Sequence, residues 1–303
     1  MSNLEIVDVS HAYGPKKVLN HVNLRVGAGQ VVALVGPSGC GKSTLLRAIL
    51  GTHPSTEGTV MVGGQEVIRP NRDVGIVYQH YSLYEFLTAR ENVAFGLMLD
   101  QTSTPYRWFM YFGWRKLRKQ HLEQADEFLK KVGLYAARDQ YPSQMSGGMR
   151  QRVAIAQALI MEPKILLLDE PFGALDEATR EELQLMLLRL YEENVRARSE
   201  NRTPPYTVII VTHELNEALF VSDRVVGLSQ YHNDGENGAT IVYDRPAPVF
   251  KPDEPKDLSR FVEQKEELIR AVFSPTFQKD HRQFVTFWQE NKKQPVEETS
   301  EVN

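Results

Sequence analysis

Apolar and polar residues alternate through residues 4–9 and again through 18–26, the period-two pattern of half-buried strands. The run Val31-Val32-Ala33-Leu34-Val35 then breaks the alternation, as a strand covered on both faces does. A helix-like stretch over 43–50 stops at Gly51-Thr52-His53-Pro54; Thr59-Val60-Met61-Val62 reads as a strand ending in a Gly63-Gly64 turn, and residues 73–79 as another. From about residue 88 to 158 the period becomes helical, with breaks at Thr102-Ser103-Thr104-Pro105 and Tyr141-Pro142-Ser143. Ile165-Leu166-Leu167-Leu168 and Val208-Ile209-Ile210-Val211 return to continuous apolar β runs. The pattern predicts an α/β protein: a three-layer core with a β-rich N-terminal region and a helical insertion. From Arg245 onward, Pro246, Pro248, Pro252 and Pro255 mark a linker, residues 257–290 read as helical, and the Glu/Lys-rich end beyond Lys292 reads as disordered. No internal repeat is visible.

Composition narrows the function only a little. The 303 residues carry 35 basic and 39 acidic side chains, so the net charge of −4 gives no reason to expect a nucleic-acid partner. A single cysteine, Cys40, rules out an intramolecular disulfide framework. The N-terminus lacks the basic-then-apolar pattern of a secretory signal, and no run approaches the ~18 apolar residues of a membrane span. If the protein works at a membrane, another chain must cross it.

Gly36-Pro37-Ser38-Gly39-Cys40-Gly41-Lys42-Ser43-Thr44 matches G-x-x-x-x-G-K-[ST] without a mismatch, between an apolar strand and a helix. That context makes it a phosphate-binding loop: its glycines let N–H groups close around an anion, Lys42 reaches the β/γ-phosphates, and Ser43 can ligate Mg²⁺. A nucleoside triphosphate with Mg²⁺ is therefore the expected ligand. The run 165–168 leads directly into Asp169-Glu170, two carboxylates at the carboxyl end of a buried strand, where open α/β sheets bind ligands. Asp169 is suited to hold the metal and Glu170 to orient or deprotonate water. Ser146-Gly147-Gly148 opens a helix and could present N–H groups and a hydroxyl to an anion.

Taken together, the phosphate loop, Gln79, Ser146-Gly147-Gly148, the Asp169-Glu170 strand, Gly173-Ala174-Leu175-Asp176 and Thr212-His213 resemble the ABC-type ATPases in order and spacing, over residues 1 to about 244. The resemblance implies a P-loop NTPase core with an antiparallel β region and a helical subdomain at about 88–160, followed by a C-terminal extension over 245–303. It implies that the nucleotide is ATP, that Tyr13 stacks on adenine, that Gln79 touches Mg²⁺ and senses a transporter subunit, and that His213 contacts the γ-phosphate. It implies further that Asp176 links two sites across a dimer, identical or paralogous, in which Ser146, Gly147 and Gly148 complete the partner's ATP site. The family usually has glutamine where this chain has Met149, which removes a side-chain amide but no backbone donor. Both Glu170 and His213 are present, so an active site is expected.

The segment Arg90-Glu91-Asn92-Val93-Ala94-Phe95-Gly96-Leu97, with Gly36 to Arg47, looks like separate ATPase subunits of bacterial importers, particularly the nitrate, sulfonate and taurine type. That implies a peripheral position on the cytoplasmic membrane face, integral permease subunits and a solute-binding protein. An exporter or lipid-extrusion ATPase would share the catalytic motifs, and a non-transport ABC ATPase is the further alternative. Segment 80–88 is the expected seat of a permease helix. The aromatic segment 105–114 beside Arg115, Lys116, Arg118 and Lys119 fits either a buried helix pair or an interfacial helix.

Overall fold

The computed structural model describes residues 2–79, 83–101, 111–173, 175–230, 238–253 and 257–274. Parts of two segments singled out above, residues 80–82 and 102–110, lie outside this set, as do Ala174 and the chain beyond Ser274.

The N-terminal alternation folds as a long hairpin, β1 (Ser2–Tyr13) and β2 (Lys16–Gly27), within a four-stranded antiparallel sheet of order β2-β1-β4-β5, with β4 at Glu57–Val62 and β5 at Gln65–Glu66. The uninterrupted apolar runs form the centre of a second, six-stranded sheet. Here β3 (Val31–Val35), β8 (Val208–Val211), β7 (Ile165–Asp169) and β6 (Val74–Val77) lie parallel, and β9 (Arg224–Ser229) joins β3 on its other side. The antiparallel strand β10 (Thr240–Pro246) closes that edge. Strands β9 and β10 were not foreseen in the sequence, and Arg245 and Pro246, read there as the start of a linker, end β10.

Alternate residues of the central strands feed two cores. Val32, Leu34, Leu167, Ile209 and Val211 meet Leu4, Ile6 and Leu24 of the antiparallel sheet and Leu45, Leu46 and Ile49 of α1 (Lys42–Leu50). Val31, Ala33, Val35, Leu166, Leu168 and Ile210 point the other way, into a core shared with the remaining helices. Those are α2 (Ala89–Gln101), α3 (Tyr111–Lys131), α4 (Gly147–Leu159), α5 (Glu177–Ser199) and α6 (Leu215–Val221). Helix α1 is therefore sandwiched between the two sheets, whereas α4 lies on the opposite face of the central sheet. Among the described residues no helix is long and apolar enough to cross a membrane.

After β10 the chain returns to the core. Phe250 packs on Phe220 of α6 and on Phe261 at centroid distances of 5.0 and 5.9 Å. A short 3₁₀ turn (Leu258–Phe261), α7 (Val262–Leu268) and a π-helical turn (Ile269–Phe273) follow. Val272 of that turn is buried over Gly227 of β9, where an added Cβ would lie 2.3 Å from Val272 Cγ2. Its carbonyl accepts a 2.7 Å hydrogen bond from Ser229 Oγ.

Asp223, just before β9, accepts a 3.2 Å hydrogen bond from the Val31 N–H at the amino end of β3, remote from the phosphate loop. Burial pushes its pKa up to about 6, only partly offset by that hydrogen bond and by Arg198 and Arg224. The folded state therefore holds this proton more tightly than the unfolded chain, and the group's contribution to stability declines as pH rises from the ordinary aspartate value to about 6. Asp223→Asn keeps a carbonyl acceptor and removes the charge. It is expected to stabilise the fold by roughly 1–2 kcal/mol at neutral pH, with the gain shrinking below pH 6. Melting temperatures of both proteins across pH 4.5–8 check this, and a pH-independent difference would contradict it.

Candidate active site

The phosphate loop joins β3 to α1 as the strand–loop–helix context requires. Gly36 leaves β3 so close to β9 that a Cβ there would lie 2.2 Å from the Leu228 carbonyl oxygen and 2.8 Å from Cys40 Sγ. Gly41 has φ of 105°, a left-handed conformation open to glycine at little cost, and it turns the chain into the helix. Lys42 is buried, and its ammonium donates to the Gly36 and Pro37 carbonyls at 2.7 and 3.0 Å, holding the cation against the loop. Ser38, Gly39 and Ser43 are exposed at the loop surface, while Cys40 and Thr44 are buried beneath it. Burial pushes the Cys40 thiol up, so it is not a nucleophile at neutral pH.

Two strands away, β7 delivers Asp169 and Glu170. Desolvation, then the charge of Glu170, raise the Asp169 pKa, and Lys42 and Arg47 pull it back, so this carboxylate lies within electrostatic reach of the loop lysine. Glu170 has φ of 46°, a conformation that costs a non-glycine residue on the order of 1 kcal/mol and is typical of residues held at a site. It is over-determined there: its N–H donates to the Val211 carbonyl at 2.9 Å and its own carbonyl accepts from Gly173 at 3.2 Å. Its carboxylate faces His213, with Oε1 and Nδ1 3.3 Å apart. A Cβ on Gly173 would lie 3.3 Å from Gln79 Nε2 and 3.7 Å from Glu170 Oε2, which brings the side chain of Gln79 to the same spot. Lys42, Asp169, Glu170, Gln79 and His213 therefore converge at the carboxyl ends of β3, β6, β7 and β8.

Ser146, Gly147, Gly148 and Asp176 form a separate group. Ser146 caps α4, its Oγ accepting from the Met149 N–H at 3.3 Å. Asp176 caps α5, accepting from the Thr179 N–H at 3.1 Å and hydroxyl at 2.7 Å, bonds that hold its carboxyl below the usual range. The two caps touch, since a Cβ on Gly148 would lie 1.7 Å from Thr179 Cγ2, so only glycine fits. Tyr13 stands at the end of β1, 42% exposed, with His11 and His53 edge-on at 4.7 and 6.4 Å. The following strand β2 brings Val18 and Leu19 against Gly41.

With this geometry in place, comparison with known proteins is decisive. A family model described as ABC transporter matches residues 19–173. The chain belongs to the ABC transporter family. Among curated ABC relatives, the sulfate/thiosulfate import ATP-binding protein CysA of Mycobacterium tuberculosis (strain ATCC 25618 / H37Rv) is 41% identical over 249 residues, covering 81% of this chain and 64% of the relative. The match thus spans less than two thirds of that relative's length. The protein of the same description from Pseudomonas putida is 40% identical over 253 residues, covering 82% of this chain and 70% of the relative. Among solved structures, a dimeric ATP-binding cassette in a post-hydrolysis state bound to ADP and Pi superposes with a TM-score of 0.60 at 30% identity, over 82% of this chain and all of that one. A Clostridium perfringens protein, part of an ABC transporter complex, shares the fold at TM-score 0.64 and 22% identity, over 89% of this chain and 94% of its own.

The unusual ABC residue Met149 packs partly buried against the helical core, while its backbone N–H serves the Ser146 cap. Met149→Gln leaves the backbone donors of the turn in place and is expected to preserve or modestly raise ATPase activity; a steady-state assay showing a large loss would mean that the thioether's packing matters more than the missing amide.

Sequence reasoning did not pick out Glu217, which is buried on the largely apolar α6 and accepts a 3.2 Å hydrogen bond from Thr212 Oγ1. The available signal was an acid four residues after His213, followed by the apolar run Ala218 to Val221.

Proposed function

We propose that this chain is the ATP-hydrolysing subunit of an importer, working as a head-to-tail pair that sandwiches two ATP molecules and drives a separate membrane-spanning permease. One observation carries the catalytic part: Glu170, strained and fixed by its backbone, faces His213 at 3.3 Å beside Gln79, at the strand ends that also present Lys42. In this reading Lys42 leaves its loop carbonyls for the β/γ-phosphates, Tyr13 stacks on adenine, and His213 contacts the γ-phosphate. Glu170 orients the attacking water and takes its proton. Ser43, Gln79 and Asp169 are hard oxygen donors of the kind Mg²⁺ prefers, and the raised pKa of Asp169 marks a carboxylate short of compensating positive charge. When bound, the metal would neutralise charge on the phosphates.

The sandwich is supported by the opposite-face placement of α1 and α4. A chain whose phosphate loop and Ser146 turn lie on different faces of one sheet needs a second copy, identical or paralogous, to bring them together. Asp176 at the cap beside Gly148 would then face the partner's site.

For the permease, the exposed pair Tyr84 and Phe86, with centroids 5.7 Å apart, offers an aromatic seat just after Gln79. The two relatives named above are sulfate/thiosulfate import ATP-binding proteins. Together with the resemblance to the nitrate, sulfonate and taurine type, this favours a small oxyanion as the solute, delivered by a solute-binding protein, and a peripheral site on the cytoplasmic face. Two measurements test the reading. The purified chain should release phosphate from ATP only with Mg²⁺, and capture from detergent-solubilised membranes should recover a multi-spanning permease whose presence stimulates that release. Absence of hydrolysis would remove the catalytic assignment, and recovery of an exporter subunit would remove the importer.

A further inference from the structure

Glu217 is hard to explain by stability. Apart from the half-buried Asn216, the rest of α6, Leu215, Ala218, Leu219, Phe220 and Val221, is buried and apolar. Burial drives the Glu217 pKa up, the expected response of a carboxylate in such surroundings. A well-packed apolar residue would serve the fold as well or better, because a buried ion pair rarely recovers its desolvation.

Its contacts point elsewhere. One carboxylate oxygen accepts from Thr212 Oγ1, the residue before His213, and the same Oγ1 accepts from the Glu214 N–H at 3.0 Å. The other oxygen lies 3.3 Å from Arg180 Nε. Arg180 in turn donates to the Leu175 carbonyl at 3.2 Å, just before Asp176, and to Glu177 Oε2 at 2.8 Å. One residue back on α5, Thr179 binds Asp176 and fills the space over Gly148. A continuous set of contacts thus runs from the His213 loop to the Ser146 turn.

We propose that Glu217 and Arg180 are positioning residues that tie the His213 loop to the Leu175–Asp176 turn and through it to the Ser146 turn. The half of an ATP site that a chain uses and the half it offers its partner then move as one. This rests on the sandwich reading above. It gives the pair a task that stability does not: transmitting the state of one nucleotide to the other.

The test compares the wild type with Arg180→Met, Glu217→Met and the double variant, measuring kcat, KM for ATP, the Hill coefficient and melting temperature. Each single variant is expected to lose about tenfold in kcat, with KM within about twofold and the Hill coefficient falling toward one. The double variant leaves no unpaired buried charge, so its melting temperature should return to near that of the wild type while kcat and cooperativity stay low. Recovery of kcat together with melting temperature, or wild-type cooperativity in the single variants, would overturn the proposal and leave the pair a structural one. Hydrogen exchange in the nucleotide-free chain gives a readout that does not depend on hydrolysis. At matched stability, the double variant should exchange faster at the Thr179 and Glu214 amides, and unchanged exchange at both would overturn the coupling. A wild type that hydrolyses no ATP would instead refute the proposed function, with the exchange measurement still deciding on the pair.

Discussion

Exchanging Glu170 for glutamine is expected to lower kcat for ATP hydrolysis by about 10²–10⁴-fold, the range a positioned general base contributes. Glutamine fills the same volume but cannot take a proton from water, and it removes a negative charge from beside the γ-phosphate. ATP binding should survive, because the phosphate loop and Lys42, two strands away, are unchanged. The variant should therefore accumulate as an ATP-bound dimer, visible by light scattering. Lys42→Ala differs in kind: the buried ammonium that the loop holds at Gly36 and Pro37 is gone, so both ATP affinity and hydrolysis should fall. A Glu170→Gln protein that stays monomeric at saturating ATP would count against the sandwich, and one that hydrolyses at the wild-type rate would return Glu170 to a plain strand end.

On the sandwich proposal, Ser146→Arg is expected to abolish hydrolysis by placing a long side chain where the partner's γ-phosphate would sit. The shared site makes a sharper forecast. In a mixed dimer of one Lys42→Ala chain and one Ser146→Arg chain, both lesions fall in the same composite site, and the other keeps an intact Lys42 and an intact Ser146. A heterodimer of two inactive proteins should therefore keep one of its two sites intact. If each chain instead completed its own site, both would be damaged and the mixture would stay inactive. Activity of differently tagged, co-purified heterodimers distinguishes the two.

How much of this was legible in the sequence follows from where the determining contacts lie. The phosphate loop is a local motif whose strand and helix flank it directly, so its residues could be read one by one. The Asp169-Glu170 pair was less plain, because two acids at a strand end are more often an ordinary polar exit, and only the phosphate loop tipped the reading toward a site. Strand β9 escaped notice because Gly227 interrupts its apolar character, and that glycine is needed because Val272, from a distant segment, and Tyr243 of β10 crowd over it. The left-handed backbone of Glu170 left no trace in composition. Neither did the contact between Gly148 and Thr179, which depends on two helices meeting at their caps. The ion pair of Glu217 with Arg180 joins residues on different helices, and only the oddity of an acid on an apolar face hinted at it.

The sheet order also sets a timetable for synthesis. The residues of the phosphate loop leave the ribosome well before both neighbours of β3, strands β8 and β9, have been made. The carbonyl that Gly36 presses against belongs to Leu228, and the residue that backs β9, Val272, is made later still. A nascent polypeptide that has emerged only through α5 therefore carries the phosphate loop, the antiparallel sheet and the β6–β7 pair, but neither of the strands that flank β3. Such late-closing, non-local pairing is slow in folding of this kind, so β3 and the loop that follows it gain their parallel neighbours only after β9 has been made.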